Sequence, residues 1–296
     1  MEEILDNIPE QQAYDVIVIG AGAAGMMAAG TAARNGSKVL LLEKMEKPAR
    51  KVRITGKGRC NLTNERGIEE FEANVRTNYD FLKVAYSEFN NRATMQFFKR
   101  MGVKLVTERG DRVFPESGKA ADIANALEFY CRDYDVEIRC HTRVSGIVTL
   151  GNKVLGVKYF NKRGFERKVE APNVIIATGG ISYPRTGSTG DGYLFADSVG
   201  HTIEDVRPSL TALVTSHPQA QFINDVLLRN TTVRLVIDGE VKGEEFGEVS
   251  FSDRGIEGAA TLRLSRDAVD GLTEEKSVKL ELDLKPALDE ETLRSR

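Results

Sequence analysis

A basic segment at residues 50–64, RKVRITGKGRCNLTN, holds the densest group of side chains that could bind an anion. Half of its first ten residues are cationic: Arg50, Lys51, Arg53, Lys57 and Arg59. Nucleic acid, a membrane surface or a bound phosphate would each suit such a group. The whole chain is not basic, since 41 Lys and Arg face 44 Asp and Glu for a net charge of -3. A general polyanion binder is therefore disfavoured, and the basic segment is a local feature.

A glycine triplet earlier in the chain offers a phosphate site of another kind. Gly20, Gly22 and Gly25 follow the β-branched run YDVIVI at 14–19 and precede an Ala- and Met-rich stretch that ends near Asn35-Gly36. A second apolar run, SKVLLLE at 37–43, comes next. This order predicts the βαβ unit of a dinucleotide-binding sheet, in which the glycines allow a tight turn, close approach of a pyrophosphate and close helix–strand packing. A buried glycine turn without a ligand is the alternative.

Glu43 ends the second predicted strand, 18 residues after Gly25 (43 − 25). A carboxylate at this place can accept hydrogen bonds from both ribose hydroxyls, and it repels a 2′-phosphate. The position therefore favours FAD or NAD over NADP.

The basic segment begins seven residues after Glu43 and is expected at the carboxyl edge of the sheet, where the dinucleotide crevice lies. We expect its cations to face a pyrophosphate. Gly56 and Gly58 would permit close backbone approach, and Lys57, Arg59 and Asn61 would donate to phosphate or to the polar edge of a flavin ring. A solvated basic loop is the alternative interpretation.

Two later blocks extend this prediction. The apolar run NVIIA at 173–177 leads into Thr178-Gly179-Gly180, a turn that suits a second backbone approach to the dinucleotide, with a plain strand-end turn as the alternative. The stretch SYPRTGSTGDG at 182–192 is ambiguous, because its composition describes any ordered turn. Its side chains suited to substrate binding are Tyr183, Arg185 and Asp191.

Cysteine and histidine usage sets further bounds. Cys60, Cys131 and Cys140 include no CxxC pair, which favours a reducing, cytoplasmic location over a disulfide framework. Cys60 beside Arg59 is interpreted as a cofactor-loop residue rather than a redox thiol. The three histidines, at 141, 201 and 217, have no metal-ligand spacing.

Periodicity predicts the remaining elements. Residues 16–33 carry no charge, but their many Gly and Ala residues favour a soluble strand-turn-helix over a membrane span. The α/β part, residues 13–204, is predicted to include helices within 79–101 and 119–134 and strands at 136–140, 143–149, 154–160 and 173–177. A mostly antiparallel β-rich domain is predicted for 205–296, with strands at 210–215, 232–237, 247–251 and 278–284 and a helix at 261–269.

The motifs together resemble the HI0933-like flavoprotein family, also called the aminoacetone-oxidase or BaiN-like family. The resemblance runs from about 14 to 292 and rests on GAGAAGMMAA, LLEK, ARKVRITGKGRCNLTN, ATGGISYPRTGSTGDGY and GEVSFSDRGIEGAATLRLS. It implies a Rossmann-like FAD-binding domain of the two-dinucleotide-binding-domain type, into which a β domain and a small helical domain are inserted. By position, the residues that would line FAD are Gly20, Ala21, Gly22, Ala24, Gly25, Glu43, Lys44, Arg50, Lys51, Gly58, Arg59, Cys60, Asn61, Val144, Ala177, Thr178, Gly179 and Gly180.

The implied activity is that of an FAD-dependent oxidoreductase acting on an unidentified small molecule, with NAD(P)H or O2 left open as the second substrate. No nucleic acid or membrane partner is expected, and the sequence does not define catalytic residues or an oligomeric state. A non-catalytic dinucleotide-binding module and a flavin-dependent RNA-modifying enzyme are the alternatives. The family's chain continues beyond ALDEETLRSR, so we expect the FAD-binding domain to lack a C-terminal return to its sheet, and we expect 1–296 to hold FAD less tightly than a longer form.

Overall fold

The computed structural model describes residues 13–75, 77–215, 223, 226–252 and 255–295. The chain divides into two compact units, one ending at Ile203 and the other beginning at Glu204. Each unit buries a hydrophobic core of its own, as a domain does.

The first unit combines strands and helices and ends in a strand, a loop and a short helix. In chain order its elements are β1 (Val16–Ile19), α1 (Ala23–Arg34), β2 (Val39–Leu42), α2 (Arg50–Gly58), β3 (Thr63–Asn64), α3 (Ile68–Asn74), α4 (Tyr79–Glu88), α5 (Asn91–Arg100), β4 (Leu105–Glu108), β5 (Arg112–Pro115), α6 (Ala120–Asp133), β6 (Glu137–Arg139), β7 (Arg143–Leu150), β8 (Lys153–Phe160), β9 (Glu166–Glu170), β10 (Asn173–Ile176), a 3-10 turn (Pro184–Thr186) and α7 (Asp191–Ser198).

A four-stranded parallel sheet in the order β10-β1-β2-β6 is the centre of this unit. Every residue of β1 and β2 is buried, because both faces of the sheet are covered. Val18 and Leu41 belong to the core formed with α1 and α6, whereas Ile17 and Leu40 belong to the core formed with the antiparallel meander β7-β8-β9. The predicted Rossmann-like α/β fold is thereby confirmed.

Helix α1 packs closely against α6 because it carries a glycine at the contact. A Cβ at Gly30 would lie 2.4 Å from the ring of Tyr130, so a larger residue would push the two helices apart. The helix ends where the sequence predicts, at Asn35-Gly36, with Gly36 in the left-handed region at a φ of 92°. The uncharged run at 16–33 is therefore a strand, a turn and a 12-residue helix.

The other predicted elements of this unit also form. The apolar stretch at 79–101 folds as two helices, α4 and α5, and the break falls at Asn90, whose side chain accepts a hydrogen bond of 3.0 Å from the Ala93 N–H as an N-cap. Among the described residues, no helix has both the length and the apolar character required to cross a membrane.

The second unit contains β11 (Leu227–Ile237), β12 (Glu240–Ser252), β13 (Gly255–Glu257), α8 (Ala259–Thr273), β14 (Val278–Asp283) and α9 (Glu290–Arg294). Its sheet is antiparallel in the order β13-β12-β11-β14. One face of this sheet packs against α8 through a core that includes Leu235, Val249 and Leu264. An antiparallel β-rich region after the Rossmann-like part is thus confirmed.

The strand predicted at 210–215 is wrong. Its strand-like pairing is limited to an isolated antiparallel bridge between Leu213 and Ile256. Leu210 has a φ of 52°, which is incompatible with an extended strand, and Val214 is 86% exposed. The apolar residues of this stretch therefore do not form the predicted strand.

A polar cluster at the edge of the parallel sheet permits a first stability test. Glu137 accepts hydrogen bonds from Tyr14 Oη at 2.5 Å and from Arg139 Nε at 2.7 Å. Partial burial opposes ionisation of this carboxyl, but the two hydrogen bonds and the charge of Arg139 outweigh it, so the pKa of Glu137 lies below its ordinary value.

We expect Glu137→Gln to lower the free energy of unfolding at neutral pH by about 1 kcal/mol, a modest value because the carboxylate is partly exposed. A depressed pKa contributes stability above the unfolded-state pKa of about 4.3, and this contribution is lost as pH falls through the folded-state pKa. The difference between wild type and variant in urea unfolding should therefore shrink in acid. Glu170→Gln, which removes an exposed ion pair with Lys168, is the control and should change little. A pH-independent difference at Glu137 would contradict the assignment.

Candidate functional site

A cavity of about 530 Å³ opens at the carboxyl edge of the parallel sheet, where β1, β2 and β10 end. Clefts at this edge are the usual ligand sites of open α/β sheets. The lining residues are Ile19, Gly20, Ala21, Gly22, Ala23, Ala24, Leu42, Glu43, Lys44, Lys47, Ala49, Arg50, Lys51, Thr142, Val144, Ile176, Ala177, Thr178, Gly179, Thr186, Gly187, Ser188, Asp191, Gly192, Tyr193 and Phe195.

The three glycines of the first turn have three different surroundings. Gly20 has a φ of 101°, and a Cβ there would lie 2.6 Å from the carbonyl oxygen of Ala177. A Cβ at Gly25 would lie 1.8 Å from the carbonyl oxygen of Gly20. A Cβ at Gly22 would meet no atom within 4 Å. Gly20 and Gly25 thus permit tight backbone packing, whereas Gly22 leaves the cavity open to a ligand.

Helix α1 begins at the cavity wall and directs its N-terminus into the cavity. Gly22 is the N-cap and provides no side-chain hydrogen bond, and the first turn contains no acidic residue. The first amides of a helix have no acceptor within the helix and carry partial positive charge. An anionic group in the cavity would satisfy them.

Glu43 lies at the end of β2 with both carboxylate oxygens in use. Its Oε2 accepts the Ala21 N–H and its Oε1 accepts the Met45 N–H, each at 2.8 Å. The carboxylate therefore ties the glycine turn to the segment after β2 and stands beside the cavity in one defined position.

The basic segment corrects the expectation that its cations face one anion together. It begins as helix α2 and breaks at Thr55, Gly56 and Lys57, which have non-helical dihedral angles. Arg50 and Lys51 line the cavity, but Arg53 pairs with Glu128 at 2.5 Å, away from the cavity lining. Successive side chains of a helix project in different directions, so Arg53 does not face the cavity together with Arg50 and Lys51.

Arg59 also faces away from the cavity lining. Its guanidinium pairs with Glu108 and lies over the ring of Phe114 at 4.5 Å from the centroid. Cys60 is buried, and this burial raises the pKa of its thiol, which does not suit a redox thiolate. Six of the residues predicted to line FAD are outside the cavity lining: Gly25, Gly58, Arg59, Cys60, Asn61 and Gly180.

The second glycine turn meets the first at the end of β10. The Ala177 N–H donates to the Ile19 carbonyl at 2.9 Å, which joins the ends of β10 and β1. Gly179 has a φ of 75°, and a Cβ there would lie 2.8 Å from Ser188 Oγ. Val144, on β7, lines another part of the wall. The structure therefore brings three separated sequence blocks to one cavity.

The ambiguous stretch at 182–192 supplies more of the wall than its composition indicated. Asp191 lines the cavity, as do Thr186, Gly187 and Ser188, whereas Tyr183 and Arg185 do not. The close spacing of Gly187, Gly190 and Gly192 was the available signal. A Cβ added at any of these glycines would lie within 3.0 Å of a side-chain atom. Phe195, Thr142 and Lys47 had no comparable signal in the sequence.

Two lysines connect this stretch to the opposite wall. Lys44 Nζ donates to Thr189 Oγ1 at 2.5 Å and to Asp191 Oδ2 at 2.7 Å. Lys51 Nζ donates to the Ser182 carbonyl and to Ser188 Oγ, each at 2.7 Å. Partial burial opposes ionisation of Asp191, but the hydrogen bonds from Lys44 and Thr189 outweigh it and hold the pKa of the carboxyl below its ordinary value.

Among the described residues, no group of three or more His, Cys, Asp or Glu side chains could hold a metal ion. His217 lies outside the described residues.

The parallel sheet, the glycine turn at a helix N-terminus and the carboxylate after β2 define a Rossmann-like dinucleotide-binding protein. The chain belongs to the HI0933-like family, whose Rossmann-domain model matches residues 14–274, and the predicted resemblance is confirmed. It is 33% identical over 282 residues to a 3-dehydro-bile acid delta(4,6)-reductase of Clostridium scindens, an alignment that covers 94% of this chain and 66% of the relative.

Two further proteins are similar to this chain. The ribosomal RNA dihydrouridine synthase of Escherichia coli is 29% identical over 258 residues, which are 85% of this chain and 60% of that protein. The solved quinol fumarate reductase of E. coli superposes with a TM-score of 0.53 at 18% identity over 74% of this chain and 44% of that one, which shows a shared fold. The chain spans 66% and 60% of the two curated relatives.

Glu43 permits a test that needs no ligand. We expect Glu43→Gln to lower the free energy of unfolding by about 1–3 kcal/mol, because a carboxamide has one acceptor oxygen for two backbone N–H donors. Chemical unfolding of wild type and variant measures the difference. The control is Glu46→Gln, which affects a carboxylate that is 46% exposed and paired with Arg50. Equal losses for the two variants would show that the Glu43 bridge is not specific.

Proposed function

We propose that the cavity binds FAD and that the whole protein is an FAD-dependent oxidoreductase. The observation that carries this proposal is the meeting of Gly22, the N-terminus of α1 and Glu43 at one cavity. A pyrophosphate fits the uncapped helix start, and a ribose fits beside the carboxylate. The same carboxylate disfavours the 2′-phosphate of NADP at this place.

The residues present fit the cofactor in charge and in space. The space beside Gly22 is free of atoms that a Cβ would meet, and Lys51, which donates to the neutral Ser182 carbonyl and Ser188 hydroxyl, adds positive charge to the wall. The turn at Ala177–Gly179 provides further backbone at the cavity wall. We propose that the nucleotide half lies between these two turns, with Val144 beside the adenine.

A bound FAD would supply hydride transfer, and the chain's own residues would bind and orient it. The amides at the start of α1 would neutralise the pyrophosphate, and Glu43 would hold the ribose. The second wall, at 182–191, would exclude water from one side of the cavity.

The names of the two curated relatives support a substrate class. A delta(4,6)-reductase and a dihydrouridine synthase both add hydrogen to a ring carbon–carbon double bond. We therefore propose reduction of a conjugated alkene on a small organic molecule, with NAD(P)H as electron donor. The free cysteines at 60, 131 and 140 favour a reducing compartment and hence a cytoplasmic location.

The cofactor proposal is tested by reconstitution with FAD and a visible spectrum of the protein after removal of free flavin. We expect retained flavin absorption. Glu43→Arg should weaken FAD binding by about one to two decades, because it removes the ribose acceptor and adds an unpaired cation. Glu170→Arg, which makes the same charge change at an exposed residue outside the cavity lining, should bind as the wild type does. A wild-type protein that stays colourless would overturn the proposal.

A second candidate, reduction of uridine in RNA, is favoured by the match to ribosomal RNA dihydrouridine synthases. The net charge of -3 weighs against it, because RNA binding depends on basic surface. NAD(P)H oxidation should be followed with a steroid dienone and, in parallel, with ribosomal RNA. Turnover of the dienone alone supports the small-molecule proposal, whereas dihydrouridine formation would replace it.

A further inference from the structure

The loop at residues 182–191 is attached to the opposite wall of the cavity through side chains. Its own hydrogen bonds, Thr186 N–H to the Tyr183 carbonyl at 2.9 Å and Gly187 N–H to the Pro184 carbonyl at 3.0 Å, only close a local turn. One backbone bond, from the Gly190 N–H to the Gly180 carbonyl at 3.2 Å, ties it to the second glycine turn. No residue of 182–191 belongs to a strand.

Lys44 and Asp191 make the ionic part of this attachment. Their side chains are 21% and 27% exposed, so the pair is partly shielded from water. Lys44 Nζ also reaches Thr189, and Thr189 Oγ1 donates to the other oxygen of Asp191 at 2.8 Å. The three groups form a closed set, in which Asp191 is also the first residue of α7.

The backbone of the loop is strained at one residue. Tyr183 has a φ of 55°, whereas the φ values of Gly187 and Gly190, 106° and 84°, cost a glycine little. Tyr183 in particular adopts a left-handed conformation that is uncommon for a large residue. Contacts with the rest of the protein must therefore hold the loop where it is.

We propose that Lys44 and Asp191 are positioning residues that form a latch, which holds the 182–191 loop as a wall of the cavity and slows release of the bound dinucleotide. The second half of this statement rests on the proposed function. Lys44 comes directly after Glu43, so the latch is anchored at the strand end that would hold the ribose. Loop position and nucleotide retention are thus coupled through adjacent residues.

A double-mutant cycle on the latch separates the coupling between Lys44 and Asp191 from a general loss of stability. The variants are Lys44→Met, Asp191→Ala and the double variant. Matched controls are Lys57→Met, a lysine of the basic segment that lies outside the cavity lining, and Asp197→Ala, an exposed acid of α7. Thermal unfolding should show that all five variants remain folded.

The first measurement is amide hydrogen exchange at 182–192 in the protein without flavin. Each single variant should accelerate exchange by about tenfold, and the double variant should add little, because residues that act through one another are not additive. The controls should match wild type. Unchanged exchange in Lys44→Met, or a double effect equal to the product of the single effects, would overturn the latch.

The second measurement is the rate of FAD release after dilution. The latch variants should release FAD about threefold to tenfold faster, with the same non-additivity. Faster exchange with an unchanged release rate would refute control of release by the loop. If the wild-type protein takes up no FAD, the proposed function fails, and hydrogen exchange alone then decides whether Lys44 and Asp191 hold the loop.

Discussion

Backbone packing between Gly25 and Gly20 is the constraint on which the cavity depends. A Cβ on Gly25 would lie 1.8 Å from the Gly20 carbonyl oxygen, so no side chain can be accommodated without moving α1 away from β1. Gly20 is itself packed against Ala177, at the end of β10. These contacts bring two strand ends and a helix start to one point. The free amides of α1 consequently open on the same cavity as Glu43.

The charged side chains around this point have hydrogen-bonding or ionic partners and do not form a cluster of one sign. Glu43 is held by two backbone N–H groups, and Lys44 is held by Asp191. Within the described part of the chain, Lys51 donates to a backbone carbonyl and a hydroxyl, and its partial burial lowers the pKa of its ammonium group. A cavity built in this way has fixed dipoles and oriented side chains, which need little rearrangement to meet an anionic ligand.

Elements defined by local chemistry could be predicted from the sequence, and those defined by tertiary partners could not. The buried runs VIVI and VLLL and the glycine turn between them identified the sheet, because a parallel strand covered on both faces has few other compositions. Arg53 and Arg59 of the basic segment were misplaced, because their directions depend on Glu128 and Glu108, which are distant in the chain. The predicted strand at 210–215 failed at Leu210, whose left-handed backbone has no signature in an apolar run.

The two walls of the cavity differ in how freely a sequence can alter them. The first wall is made by backbone groups at Gly20, Gly22 and Gly25, and a side chain at Gly20 or Gly25 would collide with the neighbouring backbone. The second wall depends on side-chain bonds from Lys44 and Lys51, and other residue pairs could replace them. A nucleotide site can therefore persist while the opposite wall changes.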